Sequence, residues 1–292
     1  MRLSVNMRVM AGGDASLIEF DQWGLGIGNG EVENVEISKD QVSTIIKKNS
    51  KDNPTSEGQA MREFIQKVFP SLATNIADPK WMEGRSILAA TNKEVDMINN
   101  LMEEMIPGNT DKLAGADSLE NPDDILRFNT EYLHSLVPTG FPVHTLRLKK
   151  GMPLMLLRNL NPREGLCNGT KMIYEKCHDY KVLECKLVGT MRTVLIPRIT
   201  LIPKAGMYPF EWKRRQFPVR PAFATTINKS QGQTLKTCGL WLRRPAFTHG
   251  QLYVACSRVG KPSNLLFALN ENKDDQRTTM KNVVFKEVLL SE

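Results

Sequence analysis

Residues 222–235, AFATTINKSQGQTL, gather the residue types that hold phosphates. An apolar run ends in two threonines, and Lys229, Ser230, Gln231 and Gly232 follow before a third threonine. A strand-to-helix turn of this kind offers backbone N–H groups, hydroxyls and a cation to an anion. Two further stretches carry arginines in similar settings: HGQLYVACSRVGKP (249–262) places Arg258 at the end of an apolar helical pattern, and LSVNMRV (3–9) places Arg8 after an apolar–polar run. A guanidinium so placed can grip phosphate oxygens with forked, charge-assisted hydrogen bonds.

A complete nucleotide site needs a phosphate cradle and magnesium ligands as well. The Walker pattern GxxxxGK[ST] is approached only by Gly260-Lys261-Pro262-Ser263, where Ala255 stands at the first glycine position and Pro262 replaces the hydroxyl residue. Proline also removes a backbone N–H from the cradle. The dipeptide Asp-Glu, the usual end of the magnesium-binding strand, does not occur in the chain. The stretch GLGIGNG (24–30) has dinucleotide-like glycines but follows FDQW, so it is expected to end a helix in a glycine-rich turn.

Five cysteines form an odd set without a CxxC pair, which fits reduced thiols. Cys177 and His178 are adjacent rather than spaced as metal ligands, and no metal cluster built from protein ligands is expected. Net charge is +7, unevenly spread: residues 1–146 carry 13 basic and 22 acidic side chains, residues 147–292 carry 26 and 10. A basic half of this kind points to a polyanion, because lysine and arginine displace counterions condensed on phosphates. The run FEWKRRQFPVR (210–220) mixes Phe210, Trp212 and Phe217 with four cations, as grooves for single strands do; the aromatics serve equally well as core anchors. No apolar run reaches the length of a membrane span, and the first residues lack the apolar core of a secretion signal.

The elements that must position these residues are legible in outline. Ile87–Ala90 reads as a strand, and Thr91 with Glu94 forms a capping box. Val95, Ile98, Leu101, Met102 and Met105 then recur at helical spacing until Pro107 and Gly108. From about 149 to 209, short apolar runs separated by turn signals predict a small antiparallel β-barrel. After it, AFATTI and CGLWL read as buried strands, each leading into a helical segment of an α/β fold.

The order and spacing of these segments, with IGNGE, ILAATNKEVDMIN, MPLMLLRNLNPREGLCNGTKM and IPRITLIP, resemble the PIF-type, RecD-like superfamily-one DNA helicases and their relatives in Helitron transposons. The resemblance covers most of the chain. It implies an α/β fold in which a RecA-like parallel-sheet domain is interrupted by the small barrel: residues 1–148 and 210–292 as the second motor domain, 149–209 as the insertion. It also implies an ATP-dependent 5′–3′ DNA helicase acting in repair, recombination, telomere maintenance or transposition, in nucleus or mitochondrion.

Carried over residue by residue, the resemblance makes Arg258 the arginine finger. It makes Arg8, Gln231 and Gly232 ATP-binding residues, and Thr226, Asn228, Lys229 and Ser230 contacts to single-stranded DNA. ATP and magnesium would be held mainly by a first RecA-like domain, whose motifs this sequence does not contain, so the chain is expected to be a fragment inactive alone. The competing expectation is a non-catalytic single-stranded nucleic-acid-binding protein derived from a helicase.

Overall fold

The computed structural model describes residues 15–37, 42–46, 55–243, 248–270, 279–285 and 287. The chain divides into two compact units. One draws on Met1–Leu72, Gly84–Met102 and Phe223–Glu292, the other on Ala73–Glu83 and Glu103–Ala222.

In chain order come α1 (Ala15–Gly28), β1 (Asn34–Glu36), β2 (Val42–Ile46), α2 (Thr55–Val68), α3 (Leu72–Asn75), α4 (Pro79–Glu83), β3 (Arg85–Ala89) and α5 (Asn92–Met105). The antiparallel region holds β4 (Asp111–Ala114), β5 (Ala116–Leu119), α6 (Pro122–Arg127), α7 (Thr130–Ser135), β6 (Thr145–Leu148), β7 (Pro153–Leu156), β8 (Lys171–His178), β9 (Val182–Leu187), β10 (Thr193–Pro197), β11 (Ile199–Leu201), β12 (Trp212–Gln216) and β13 (Val219–Pro221). Then follow β14 (Ala224–Thr226), β15 (Thr237–Leu242), α8 (Gln251–Cys256), β16 (Leu265–Asn270) and β17 (Thr279–Lys281).

The first unit is built on a five-stranded sheet of order β14-β3-β15-β16-β2, parallel throughout. Its central strands are continuous apolar runs, as strands covered on both faces must be: Ile87, Leu88, Leu240, Trp241 and Phe267 are fully buried. Helix α2 lies so close to β15 that a Cβ on Gly239 would sit 2.5 Å from the Val68 side chain and 3.0 Å from Phe64. The capping box forms as the sequence predicts: Glu94 N–H donates to Thr91 Oγ1 at 3.3 Å, and Thr91 N–H donates to Glu94 Oε2 at 3.2 Å. Helix α5 then buries Val95, Ile98 and Met102. Helix α1 runs through Gly24, Gly26 and Gly28 and turns at Gly30, φ +69°, with Glu31 N–H donating to the Gly26 carbonyl at 3.0 Å.

The second unit is antiparallel. Five strands pair in the order β10-β9-β8-β7-β13, β4 pairs with β6, and β12 lies between β11 and β5. This insertion differs from the barrel expected over 149–209 in two respects. It takes in 111–148 and 212–221, because Leu113 of β4, Leu146 and Leu148 of β6, Phe217 and Val219 fill the same core as Leu154, Met172 and Leu183. Without them, one face of the meander would have no apolar cover. The described ladders also run from β10 to β13 without pairing these two, so the strands form sheets around a core rather than one closed ring. A smaller core of Leu133, Phe141, Leu201, Phe210 and Trp212 lies under β12.

Candidate nucleotide and nucleic-acid site

The phosphate-type segment leaves the carboxyl end of β14, where ligands of parallel α/β sheets gather. Strand β14 is short and stands at the sheet edge, with Ala224, Thr225 and Thr226 in register with Ile87, Leu88 and Ala89. The expected helix after it is a single 3-10 turn, Ile227–Ser230. Ile227 is fully buried and anchors the turn in the core, while Asn228, Lys229, Gln231 and Gly232 are exposed and Thr226 is half-buried. Gly232 adopts φ +82°, in the left-handed region, and a Cβ there would meet nothing within 4 Å. The backbone at this point is open to approach by a ligand.

Ser230 departs from its expected role. Its side chain is fully buried, and its hydroxyl donates to the Ile227 carbonyl at 2.6 Å, closing the turn rather than facing a phosphate.

Arg258 departs as well. Leu252, Ala255, Cys256 and Val259 pack inward as helical spacing predicts, but the guanidinium does not project from the end of α8; the residue is only 5% exposed. Its Nε–H donates to the Val254 carbonyl at 2.6 Å, one terminal nitrogen donates to the carbonyls of Ser230 and Gln233 at 3.1 Å each, and the other donates to Ser257 Oγ at 2.8 Å. The Arg258 carbonyl in turn accepts from Leu235 N–H at 2.8 Å. A planar fork facing several carbonyls donates to more than one of them at once, and burial removes water as the competitor. The structure thus brings Arg258 to the segment that holds Gln231 and Gly232. Arg8, the remaining expected nucleotide ligand, lies outside the described residues.

The basic run of 210–220 also reads differently in three dimensions. Phe210, Trp212 and Phe217 are 6%, 1% and 0% exposed, so they form core and have no free face for a base. Strand alternation turns Trp212, Arg214 and Gln216 inward and leaves Arg215 outside. Arg214 is fully buried against fully buried Asp117, with Nε–H to Oδ1 at 2.7 Å and a terminal N–H to Oδ2 at 2.9 Å. It also donates to the carbonyls of Leu133, Leu136 and Pro142. Other cations of the basic half are internally paired: Arg147 with Glu103, Lys213 with Glu120, and Lys186 with Glu175. The surplus of positive charge therefore overstates the cationic surface offered to a polyanion.

Sequence reasoning missed the group formed by Asp117, His134, His144 and Arg214. The missing signal was the period of two along β12, which places Arg214 on the same face as Trp212. The donor atoms of Asp117, His134 and His144 lie within 4.8 Å of one another. Both Asp117 oxygens already accept from Arg214, however, and the two imidazoles stack face to face, so the cluster is not arranged to converge on an ion. Elsewhere, burial pushes the Cys185 thiol up to about 12 and the Cys256 thiol higher still, which leaves both as inert apolar groups. Among the described residues no helix is long and apolar enough to cross a membrane.

Residues 131–175 match the family model described as DNA helicase Pif1, 2B domain. The chain is 30% identical to the ATP-dependent DNA helicase PIF1 of Homo sapiens over 185 residues, 60% of this chain and 26% of that protein. It is 29% identical to the Xenopus laevis protein of the same name over 175 residues, 59% of this chain and 25% of that protein. The matched region thus spans about a quarter of these relatives. Among solved structures, a Pif1 helicase from Candida albicans superposes with TM-score 0.52 at 23% identity, covering 78% of this chain and 56% of that one. A Pif1 helicase from Bacteroides, in complex with ADP-AlF3 and ssDNA, superposes with TM-score 0.56 at 17% identity, covering 95% and 52%. By domain model, by sequence and by fold, what this chain is similar to is the C-terminal region of PIF1-type helicases.

Proposed function

We propose that this chain works as the second half of an ATP-dependent DNA helicase motor, pairing with a RecA-like domain that supplies the phosphate cradle and magnesium ligands. The observation that carries this reading is the junction of the 222–235 segment with Arg258. One rigid turn at the carboxyl edge of the parallel sheet carries exposed Asn228, Lys229, Gln231 and Gly232, and it is tied through Ser230 and Gln233 to the arginine at the end of α8. A turn that meets a strand on one side and a nucleotide on the other transmits nucleotide state to strand grip, which translocation requires.

In this proposal, Asn228 and Lys229 hold DNA phosphates and Thr226 supports them, while Gln231 and Gly232 approach the nucleotide. Ser230 fixes the turn from inside. Arg258 reaches the nucleotide only by exchanging its carbonyl partners for phosphate oxygens, an exchange that substitutes one set of acceptors for another. ATP with magnesium, single-stranded DNA and 5′–3′ movement are proposed on the likeness to the PIF1 relatives, one of whose solved structures holds ADP-AlF3 and ssDNA.

The test is binding of a fluorescent oligothymidylate by the 292-residue chain, followed by anisotropy in low and moderate salt. Sequence-tolerant binding that weakens in Asn228→Ala and Lys229→Ala is expected. Binding unchanged by both substitutions would remove the segment from the strand-holding surface. The alternative, a half-motor serving only to bind nucleic acid, predicts the same binding but no ATP turnover after a RecA-like partner domain is supplied.

A further inference from the structure

Helix α7 is six residues long, too short to be stable on its own propensity, so tertiary ties must hold it. Its first turn is capped by Asn129, whose side chain accepts from Tyr132 N–H at 2.7 Å. Its last turn is held by the buried Arg214, through the carbonyls of Leu133 at 2.8 Å and Leu136 at 2.9 Å. On the same turn, His134 stacks on His144, with ring centroids 3.5 Å apart and planes inclined by 22°.

His144 is itself fixed. Its carbonyl accepts from Gly115 N–H at 2.7 Å and from Gln216 Nε2 at 2.7 Å. Its Nδ1 lies 2.9 Å from Asp117 Oδ2. Both Asp117 oxygens accept from Arg214, and Oδ2 accepts from His144 Nδ1–H as well.

We propose that His134 and His144 form a proton-operated latch that holds α7 closed over the Arg214–Asp117 pair near neutral pH and releases it on mild acidification. The groups facing His144 are Asp117 from β5, Arg214 from β12 and His134 from α7. In the closed arrangement the imidazoles meet face to face. A proton on either ring creates a cation beside the other imidazole and beside a buried guanidinium. The one carboxylate that could offset it is already engaged in two bonds to Arg214.

His144 is held in place by its carbonyl as well as its ring, whereas His134 rides on the short helix, so the ring that leaves is His134. Burial, then the charge of His134 and Arg214, hold the His144 imidazole below its ordinary value, against an upward pull from Asp117. The sign follows from linkage: the open state takes up the proton first. The latch is at full strength above the ordinary histidine value of about 6.5 and weakens as pH falls below it.

The test is amide hydrogen exchange of the full 292-residue chain at pH 7.5 and 5.5, corrected for intrinsic rates. Peptides over 128–143 report the latch, and peptides over 182–196 (β9 and β10) serve as the reference. Opening of 128–143 should rise by about tenfold on acidification while the reference stays constant, because local opening is read separately from global unfolding. His134→Phe, which keeps a ring stacked over His144 but removes the second imidazole, should show a clearly smaller rise in opening on acidification than the parent chain. A response of equal size in His134→Phe, an unchanged wild-type chain, or parallel opening of both peptides would each overturn the latch. Asp117 and Arg214 are left intact in this design because removing either breaks a buried ion pair and unfolds more than α7.

Discussion

The Arg258 guanidinium donates to the Ser230 carbonyl at 3.1 Å, joining the end of α8 to the turn that follows β14 across 28 residues of sequence. An arginine expected to face a nucleotide is thus also a structural tie. Arg258→Ala leaves the Ser230 and Gln233 carbonyls without this donor and is expected to cost about 2–3 kcal/mol. Arg258→Lys keeps the charge but loses the fork, and recovers only part of it. Urea unfolding of the three chains decides: equal midpoints would show that the guanidinium carries no stability.

Asp117 and Arg214 are both fully buried and meet in a two-point ion pair. Replacing either one alone, by Asp117→Asn or Arg214→Met, strands a buried charged or carbonyl partner and is expected to cost about 3–5 kcal/mol. The double replacement should cost clearly less than the two single effects added together. Additive losses in a double-mutant cycle would mean that the pair is not the unit of stability.

Gly239→Ala places a methyl group 2.5 Å from the Val68 side chain and 3.0 Å from Phe64. Helix α2 must then lift from the sheet, at an expected cost of about 1–3 kcal/mol. Thermal unfolding measures it, and a melting temperature equal to that of the parent would show that α2 has room to move.

Lys229 is exposed on the turn proposed to hold the strand. If it neutralises one phosphate, Lys229→Ala lowers affinity alike for different sequences. It also reduces the slope of log affinity against log salt by about one. An unchanged slope with reduced affinity would point to a loss of turn structure instead.

The 292-residue chain contains neither GxxxxGK[ST] nor an Asp-Glu dipeptide. It is expected to release no phosphate from ATP in the presence of magnesium and single-stranded DNA. Turnover by pure protein that disappears in Arg258→Ala would show that the residues present suffice, and would overturn the half-site reading.

Local rules were readable in advance wherever a few neighbouring residues decide the outcome. Thr91 and Glu94 are three apart, which is enough for their reciprocal hydrogen bonds. Val95, Ile98 and Met102 share a helical face and became core. The apolar run at 238–242 became a central strand because runs without polar alternation need cover on both faces. The order of motifs was enough to indicate the RecA-like sheet with an antiparallel insertion.

What only the tertiary structure decided was the fate of the cations. Arg214 and Arg215 are neighbours in a basic run, yet strand alternation buries the first against Asp117, 97 residues away, and exposes the second. Arg258 ends an apolar helix in either reading. Its direction depends on which carbonyls approach from the distant 227–235 segment. His134 and His144 are ten residues apart with nothing between them to suggest a stack. Their contact exists because Arg214 captures the last turn of α7. A charged side chain has no fixed preference for solvent once a partner and carbonyls are supplied, and those partners come from the fold rather than from the flanking sequence.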